Sequence, residues 1–193
     1  MKRCATWLLA LSACGGADGS GSPIDARAGV GEPAELAGIT LHHNEVRAMV
    51  DTSGLAAGPL PALAWDDALA ATAAAWVARC QDSDGDGLVD HNPGRGAGHP
   101  WPVGENIFAS TGTASPRDAV LLPTYGWASE RDHYHYDTNT CDARAVCGHY
   151  TQVVWRATQK VGCARGTCPG LRYPSTIVCD YGPAGNVGGQ KPY

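Results

Sequence analysis

Residues 147–155 read CGHYTQVVW. After a cysteine and a glycine, His149 opens a run of β-branched and aromatic side chains that predicts a strand. Both faces of the run carry apolar or aromatic residues, which predicts a sheet covered on both sides. Gly148 lets the backbone turn before the strand, Cys147 pins that turn, and His149 is held at the strand edge. Two further short runs follow, KVGCARG at 160–166 and STIVCDYG at 175–182, each β-branched and bounded by turn residues.

Upstream of Cys147 the periodicity is helical. PAELAGITLHHNEVRAMVD at 33–51 predicts a helix with Pro33 in its first position and Ile39, Val46 and Val50 near one stripe. A second helix follows Trp65. Asp66 suits its N-cap, and Leu69, Ala73, Trp76 and Cys80 recur at helical spacing. SPRDAV starts a third, with Ser115 as cap, Pro116 in the first position and Asp118 completing a capping-box pattern. YGWASERDHYHY at 125–136 predicts a further helical stretch after Pro123. Helices first and strands afterwards predict an α+β fold, a three-layer α-β-α sandwich around a central antiparallel sheet.

The 193 residues suffice for one domain with a real core. With 25 glycines, 13 prolines and one phenylalanine, the domain is expected to be loop-rich. The net charge is −5, and it becomes −7 if Lys2 and Arg3 leave with a leader. No basic patch is visible, which argues against nucleic acid and anionic membrane surfaces as partners. MKR followed by CATWLLALSA reads as an export signal over residues 1–13, its apolar segment too short to span a bilayer. It ends in LSAC, which resembles a bacterial lipobox and makes Cys14 a candidate lipidation site; the other reading is an ordinary cleaved signal with a nearby cysteine. Residues 14–32 are rich in Gly, Ser and Ala and read as a flexible tether to a domain at 33–193. Localisation is therefore expected to be outside the cytoplasm, in the cell envelope or the extracellular space. Of eight cysteines, Cys4 lies in the leader and Cys14 at its end. The remaining even number predicts three disulfides in an exported chain.

Four segments occur in an order that resembles the CAP superfamily of cysteine-rich secretory proteins, venom allergens and plant pathogenesis-related proteins. They are HNEVR (43–47), GENI (104–107), GHYTQVVW (148–155) and VCDYGPAGN (178–186). The stretch from Tyr136 to the end looks particularly like the plant members, and the chain as a whole like a bacterial lipoprotein-like member. The resemblance implies the three-layer sandwich and a cleft holding two histidines and two acids. Carried over motif by motif, these are Glu105 of GENI, Glu130 of WASER, His149 of GHYTQVVW, and His91 of LVDHN, with His99 as the alternative within an expanded loop. It also implies the pairings Cys80–Cys168, Cys141–Cys147 and Cys163–Cys179. Family members are associated with sterol and lipid binding and, for a few, with protease activity.

Two imidazoles and two carboxylates suit a divalent metal such as zinc. Neutral imidazole offers a lone pair, and a carboxylate orients the other ring nitrogen. The same four groups suit a positioned water, or a scaffold of satisfied buried hydrogen bonds. Nothing marks Ser110, Ser129 or Thr151 as an activated nucleophile. DSDGDGLVD, with Asp82, Asp84, Asp86 and Asp90, resembles the acidic half of a calcium loop without its terminal glutamate; the alternative is a solvated insertion. His43, Asn44 and Arg47 are expected to be structural, and Trp65, Trp76, Trp127 and Trp155 to lie in the core. Trp101 is assigned to packing, with the cleft rim as the alternative, and His133 and His135 to an exposed loop. Three functions remain open: an exported, lipid-anchored domain whose cleft binds a metal or a small apolar, lipid or sterol-like ligand; a metal-dependent hydrolase of an extracellular or envelope polymer; and a cell-surface interaction module.

Overall fold

The computed structural model describes residues 31–54 and 57–193. The expected signal at 1–13, the lipidation candidate Cys14 and nearly all of the tether lie outside the described residues. Glu32, at the tether's end, already belongs to the fold. Its carboxylate accepts from the amides of Gly38 and Thr40 at 2.7 and 2.8 Å. That cap, and Gly38 at φ 89°, split the helix expected over 33–51. A 3-10 turn covers Ala34–Leu36, and α1 runs Ile39–Ala48.

The strand β1 (Ala64–Trp65) leads directly into α2 (Asp67–Val77). Asp66 caps α2 as its sequence predicts, accepting from the amides of Ala68 and Leu69 at 3.0 Å, and it pairs with Lys160 at 2.6 Å. Leu69, Ala73, Trp76 and Val77 form the buried stripe. A long loop then leads to β2 (Gly104–Ser110), a strand that sequence reading leaves unassigned. The helix α3 (Pro116–Leu121) starts where expected, with Ser115 Oγ accepting from the Asp118 amide at 3.0 Å. Trp127–His133 forms a 3-10 helix, followed by the hairpin β3 (Tyr134–His135) and β4 (Thr140–Cys141). The long strands β5 (Lys160–Thr167) and β6 (Ser175–Gly182) lie where their β-branched runs place them.

The main correction concerns the stretch that opened the sequence analysis. Gly148–Val153 is a helix, α4, and not a strand. It is buried nearly all round, so apolar residues on both sides reflect enclosure rather than a two-sided sheet. Tyr150, Val153 and Val154 join the main core. On the opposite side Gln152 Oε1 accepts from the Gly185 amide and Thr151 Oγ1 donates to Asn186 Oδ1, at 2.9 and 2.7 Å. Thr151 Oγ1 shares its single proton with the Cys147 carbonyl, 3.0 Å away, a helical i−4 contact that offsets its strand preference.

The four-stranded sheet has the order β1-β5-β6-β2. It is antiparallel except at one edge, where β1 runs parallel to β5 for two residues. The helix α2 packs on one face, against Ala164 and Val178. Glycines let it lie close: a Cβ on Gly162 would stand 2.2 Å from the Ala70 amide nitrogen. On the other face α1, α3, α4 and the 3-10 helix bury Ile39, Val46, Trp127 and Tyr150 against Phe108, Ile177 and Tyr181. This is the expected α-β-α sandwich. Three disulfides cross it: Cys80–Cys168 ties the end of α2 to the segment after β5, Cys141–Cys147 closes the loop before α4, and Cys163–Cys179 joins directly opposed residues of β5 and β6. Among the described residues no helix is long and apolar enough to cross a membrane.

Candidate functional site

β2 is an edge strand, and the loop after α2 and the first turn of α4 meet beside it. A cleft of about 330 Å3 opens there. Ile107 and Ala109 of β2 line it, together with His91 from the loop after α2 and His149 from the first turn of α4. Each imidazole is held from behind by one carboxylate. His91 Nδ1 lies 2.6 Å from Glu105 Oε1, and His149 Nδ1 lies 2.5 Å from Glu130 Oε1. An ionised carboxylate can only accept, so both Nδ1 atoms carry a proton, and in the neutral ring Nε2 presents a lone pair. Neither Nε2 bonds to another group among the described residues.

The carboxylates are themselves fixed. Glu105 is fully buried at its side chain, and its Oε1 also accepts from the Asn92 amide at 2.9 Å. Glu130 Oε2 accepts from the amides of His149 and Tyr150 at 2.9 and 3.1 Å, capping α4 from the 3-10 helix. Asn106, which sequence reading passed over, donates from Nδ2 to the His149 carbonyl at 3.1 Å and to the Tyr181 hydroxyl at 3.2 Å. His149 is thus positioned by a helix start and an external cap, not by a strand edge. Its ring also stacks near Trp127, with centroids 6.5 Å apart.

His99 does not join this group. Its Nε2 lies 3.0 Å from Thr72 Oγ1 and its ring packs edge-on against Trp101. Trp101 itself fills the space that a side chain on Gly182 would need. The hydroxyls of Ser110 and Ser129 are engaged in short-range bonds to backbone groups, and that of Thr151 by the Cys147 carbonyl and Asn186 Oδ1. His133 and His135 both bond to Asp142 on the β3–β4 hairpin, at 3.1 and 2.6 Å. Trp76, Trp127 and Trp155 are core residues, whereas Trp65 is half-buried and donates to Asp67 at 2.8 Å.

His43, Asn44 and Arg47 are buried and structural. His43 Nδ1 donates to the Ile39 carbonyl and Nε2 accepts from the Tyr181 hydroxyl, at 2.7 and 2.8 Å. Burial lowers His43 to about 4, so it is neutral. Asn44 exchanges two hydrogen bonds with the Leu63 backbone. Arg47 donates to the carbonyls of Pro61, Val153 and Trp155, and burial lowers it to about 10.

The acidic insertion folds into a tight loop in which carboxylate oxygens of Asp82, Asp84 and Asp86 lie within 4.8 Å of one another. Asp84 and Asp86 also line the His91/His149 cleft. Asp90 does not complete the group: its carboxylate closes the loop by accepting from the Ser83 amide at 2.7 Å.

Residues 41–181 match the model of the cysteine-rich secretory protein (CAP) family. Pathogenesis-related protein 1 of Arabidopsis thaliana is 40% identical over 152 residues, covering 78% of each chain. Mouse peptidase inhibitor 16 is 38% identical over 156 residues, and mouse GLIPR1-like protein 1 is 37% identical over 158. The matched part spans 78% of this chain in both cases but 28% and 60% of those longer relatives. Among solved structures, Schistosoma mansoni venom allergen-like protein 4 superposes with a TM-score of 0.62 at 24% identity, over 84% of this chain and 95% of that one. A structure of NaASP2 with Zn2+ superposes at 0.53 with 24% identity, over 80% and 82%. These two show the shared fold. The family match over most of the domain and the Arabidopsis relative establish that this chain belongs to the cysteine-rich secretory protein (CAP) family.

Proposed function

We propose that this chain is an exported CAP-domain protein, lipid-anchored through Cys14, whose cleft binds a divalent metal such as zinc through Nε2 of His91 and His149. One observation carries the reading: two imidazoles line one cleft, each with Nδ1 bound to its own glutamate and Nε2 free. Such pairing fixes the tautomer and ring orientation that a metal requires. The three disulfides fit an oxidising compartment.

Beside the cleft lies a second, mainly apolar cavity of about 390 Å3 that shares Leu88, Ile107 and Ala109 with it and reaches Leu122, Tyr125 and Tyr173. This favours a small ligand whose polar end lies at the imidazoles and whose apolar end lies against the tyrosines, including a lipid or sterol-like molecule. Hydrolysis is the weaker reading. Both oxygens of Glu130 already accept hydrogen bonds, and Glu105 is buried behind His91, so neither acid is free to serve as a general base.

Zinc titration by calorimetry tests the proposal. Wild-type protein binds one equivalent at neutral pH; His91→Ala and His149→Ala each weaken binding by at least about tenfold. Protons compete for the imidazoles, so affinity falls on acidification. Equal binding by all three proteins would place the metal elsewhere.

Calcium at Asp82, Asp84 and Asp86 is a second reading, favoured by the approach of their oxygens.

A further inference from the structure

Asp180 is an acid in the middle of an otherwise apolar strand, STIVCDYG, and it is completely buried. Neither of its oxygens has a hydrogen-bond partner among the described residues, and neither has Glu105 Oε2. These three orphans are one feature. Asp180 and Glu105 are direct cross-strand partners in the β6–β2 register, so their side chains lie on the same face. The third residue of that row is Gly162 on β5, which has no side chain, and α2 closes over it.

Two ionised carboxylates cannot share such a place without a cation between them. Arg95 is the cation that acts on Asp180, but it hydrogen-bonds to neither orphaned carboxylate oxygen: its Nε donates to the Val103 carbonyl and its Nη1 to the Asn92 carbonyl, both at 2.8 Å. One proton must therefore reside on the pair. Glu105 Oε1 receives two donors, His91 Nδ1 and the Asn92 amide. Asp180 has no such donors. We propose that Asp180 is held as a neutral carboxylic acid that donates its O–H to Glu105 Oε2, and that it is thereby the positioning residue that keeps Oε1 aimed at His91 Nδ1 and the His91 Nε2 lone pair turned to the cleft.

The electrostatics agree with this placement. Burial first, and then the Glu105 charge, push Asp180 well above the ordinary carboxylate range, while Arg95 opposes them. The groups that face it are Glu105 from β2 and Arg95 from the loop between α2 and β2, with His91 beyond Glu105. The proton assignment holds without any metal. Only the consequence for metal affinity rests on the zinc reading above.

Infrared difference spectroscopy of metal-free protein carrying carboxyl-labelled aspartate tests it at pH 7. Wild type shows the carbonyl stretch of one protonated aspartic acid. Asp180→Asn abolishes that band. Glu105→Gln keeps the band, because burial remains, but shifts it, because the O–H then donates to an amide oxygen in place of a carboxylate. Imidazole nitrogen shifts then read the positioning role. In Asp180→Asn the amide replaces the O–H donor, so His91 keeps its Nδ1–H tautomer and zinc affinity stays within about twofold. Asp180→Leu removes the donor, disturbs the His91 tautomer and weakens zinc by about tenfold. A folded wild type without the band, or a band that persists in Asp180→Asn, overturns the proposal. Wild type that shows the band and tautomer pattern but binds no zinc overturns only the metal reading.

Discussion

His43 and His149 stand in two of the four signature segments, and only their surroundings separate them. His43 has both ring nitrogens engaged, one by the Ile39 carbonyl and one by Tyr181, and no exposure. His149 has one nitrogen engaged and the other directed at a cleft. The first is therefore scaffold and the second a candidate ligand. Burial of the neutral form of His43 has a thermodynamic consequence. Its folded value, about 4, lies below the ordinary 6.5 of the unfolded chain. Its contribution is fully present above the unfolded value and is lost as pH falls through the folded one. Relative to His43→Gln, wild type loses up to about 3 kcal/mol of stability between pH 7 and pH 4. Urea denaturation of both proteins across that range measures this; a pH-independent gap would show that His43 is protonated without penalty. The motif places this histidine, but its silence depends on Tyr181, a residue 138 positions away.

At the scale of elements, capping chemistry was legible and enclosure was not. Asp66 and Ser115 name the starts of α2 and α3 because a side-chain oxygen two or three residues before an orphan amide acts locally. The start of α4 has no such local signal. Its cap comes from Glu130, in another element, and its β-branched residues suggest a strand until the layers around it are known. Close layer packing also yields a test. In Gly162→Ala the new methyl collides with the α2 backbone, which cannot rotate away as a side chain would, so α2 must lift from the sheet. The cost is about 3 kcal/mol or more, against a change within about 0.5 kcal/mol for Gly96→Ala, where nothing lies nearby. Chemical denaturation of the two variants decides it; equal stabilities would mean that α2 yields freely. The acidic loop is the other element with a measurable consequence. If its three carboxylates hold calcium, millimolar calcium raises the melting temperature by about 2–4 °C per kcal/mol of binding energy. No shift would leave it a solvated insertion.

Across the whole molecule, the cleft forms where the loop after α2 and the start of α4 meet beside an edge strand. Its four polar residues come from the loop after α2, from β2, from the 3-10 helix and from α4. Outside the domain, the anchor proposal is tested by intact mass of the mature protein. The expected species begins at a lipid-modified Cys14 in the membrane fraction; an unmodified Cys14 in the culture medium would favour simple secretion. Four ordered segments were enough to name the family and the sandwich, and motif position alone selected Glu105, Glu130 and His149. Those readings came through the resemblance of the motifs, whereas the helix starts and the two long strands were legible because caps and strand-forming runs act over a few residues. The role of Asp180 stayed hidden, although an acid inside an apolar strand was its visible trace. Its partner is set by β6–β2 register, and register is a tertiary quantity. The choice of His91 over His99, the helical state of Gly148–Val153 and the separation of Asp90 from the acidic triad were likewise decided only by folding. Each depends on which distant group occupies the space beside a side chain: Glu105 beside His91, Thr72 beside His99, the surrounding layers about α4, and the Ser83 amide beside Asp90.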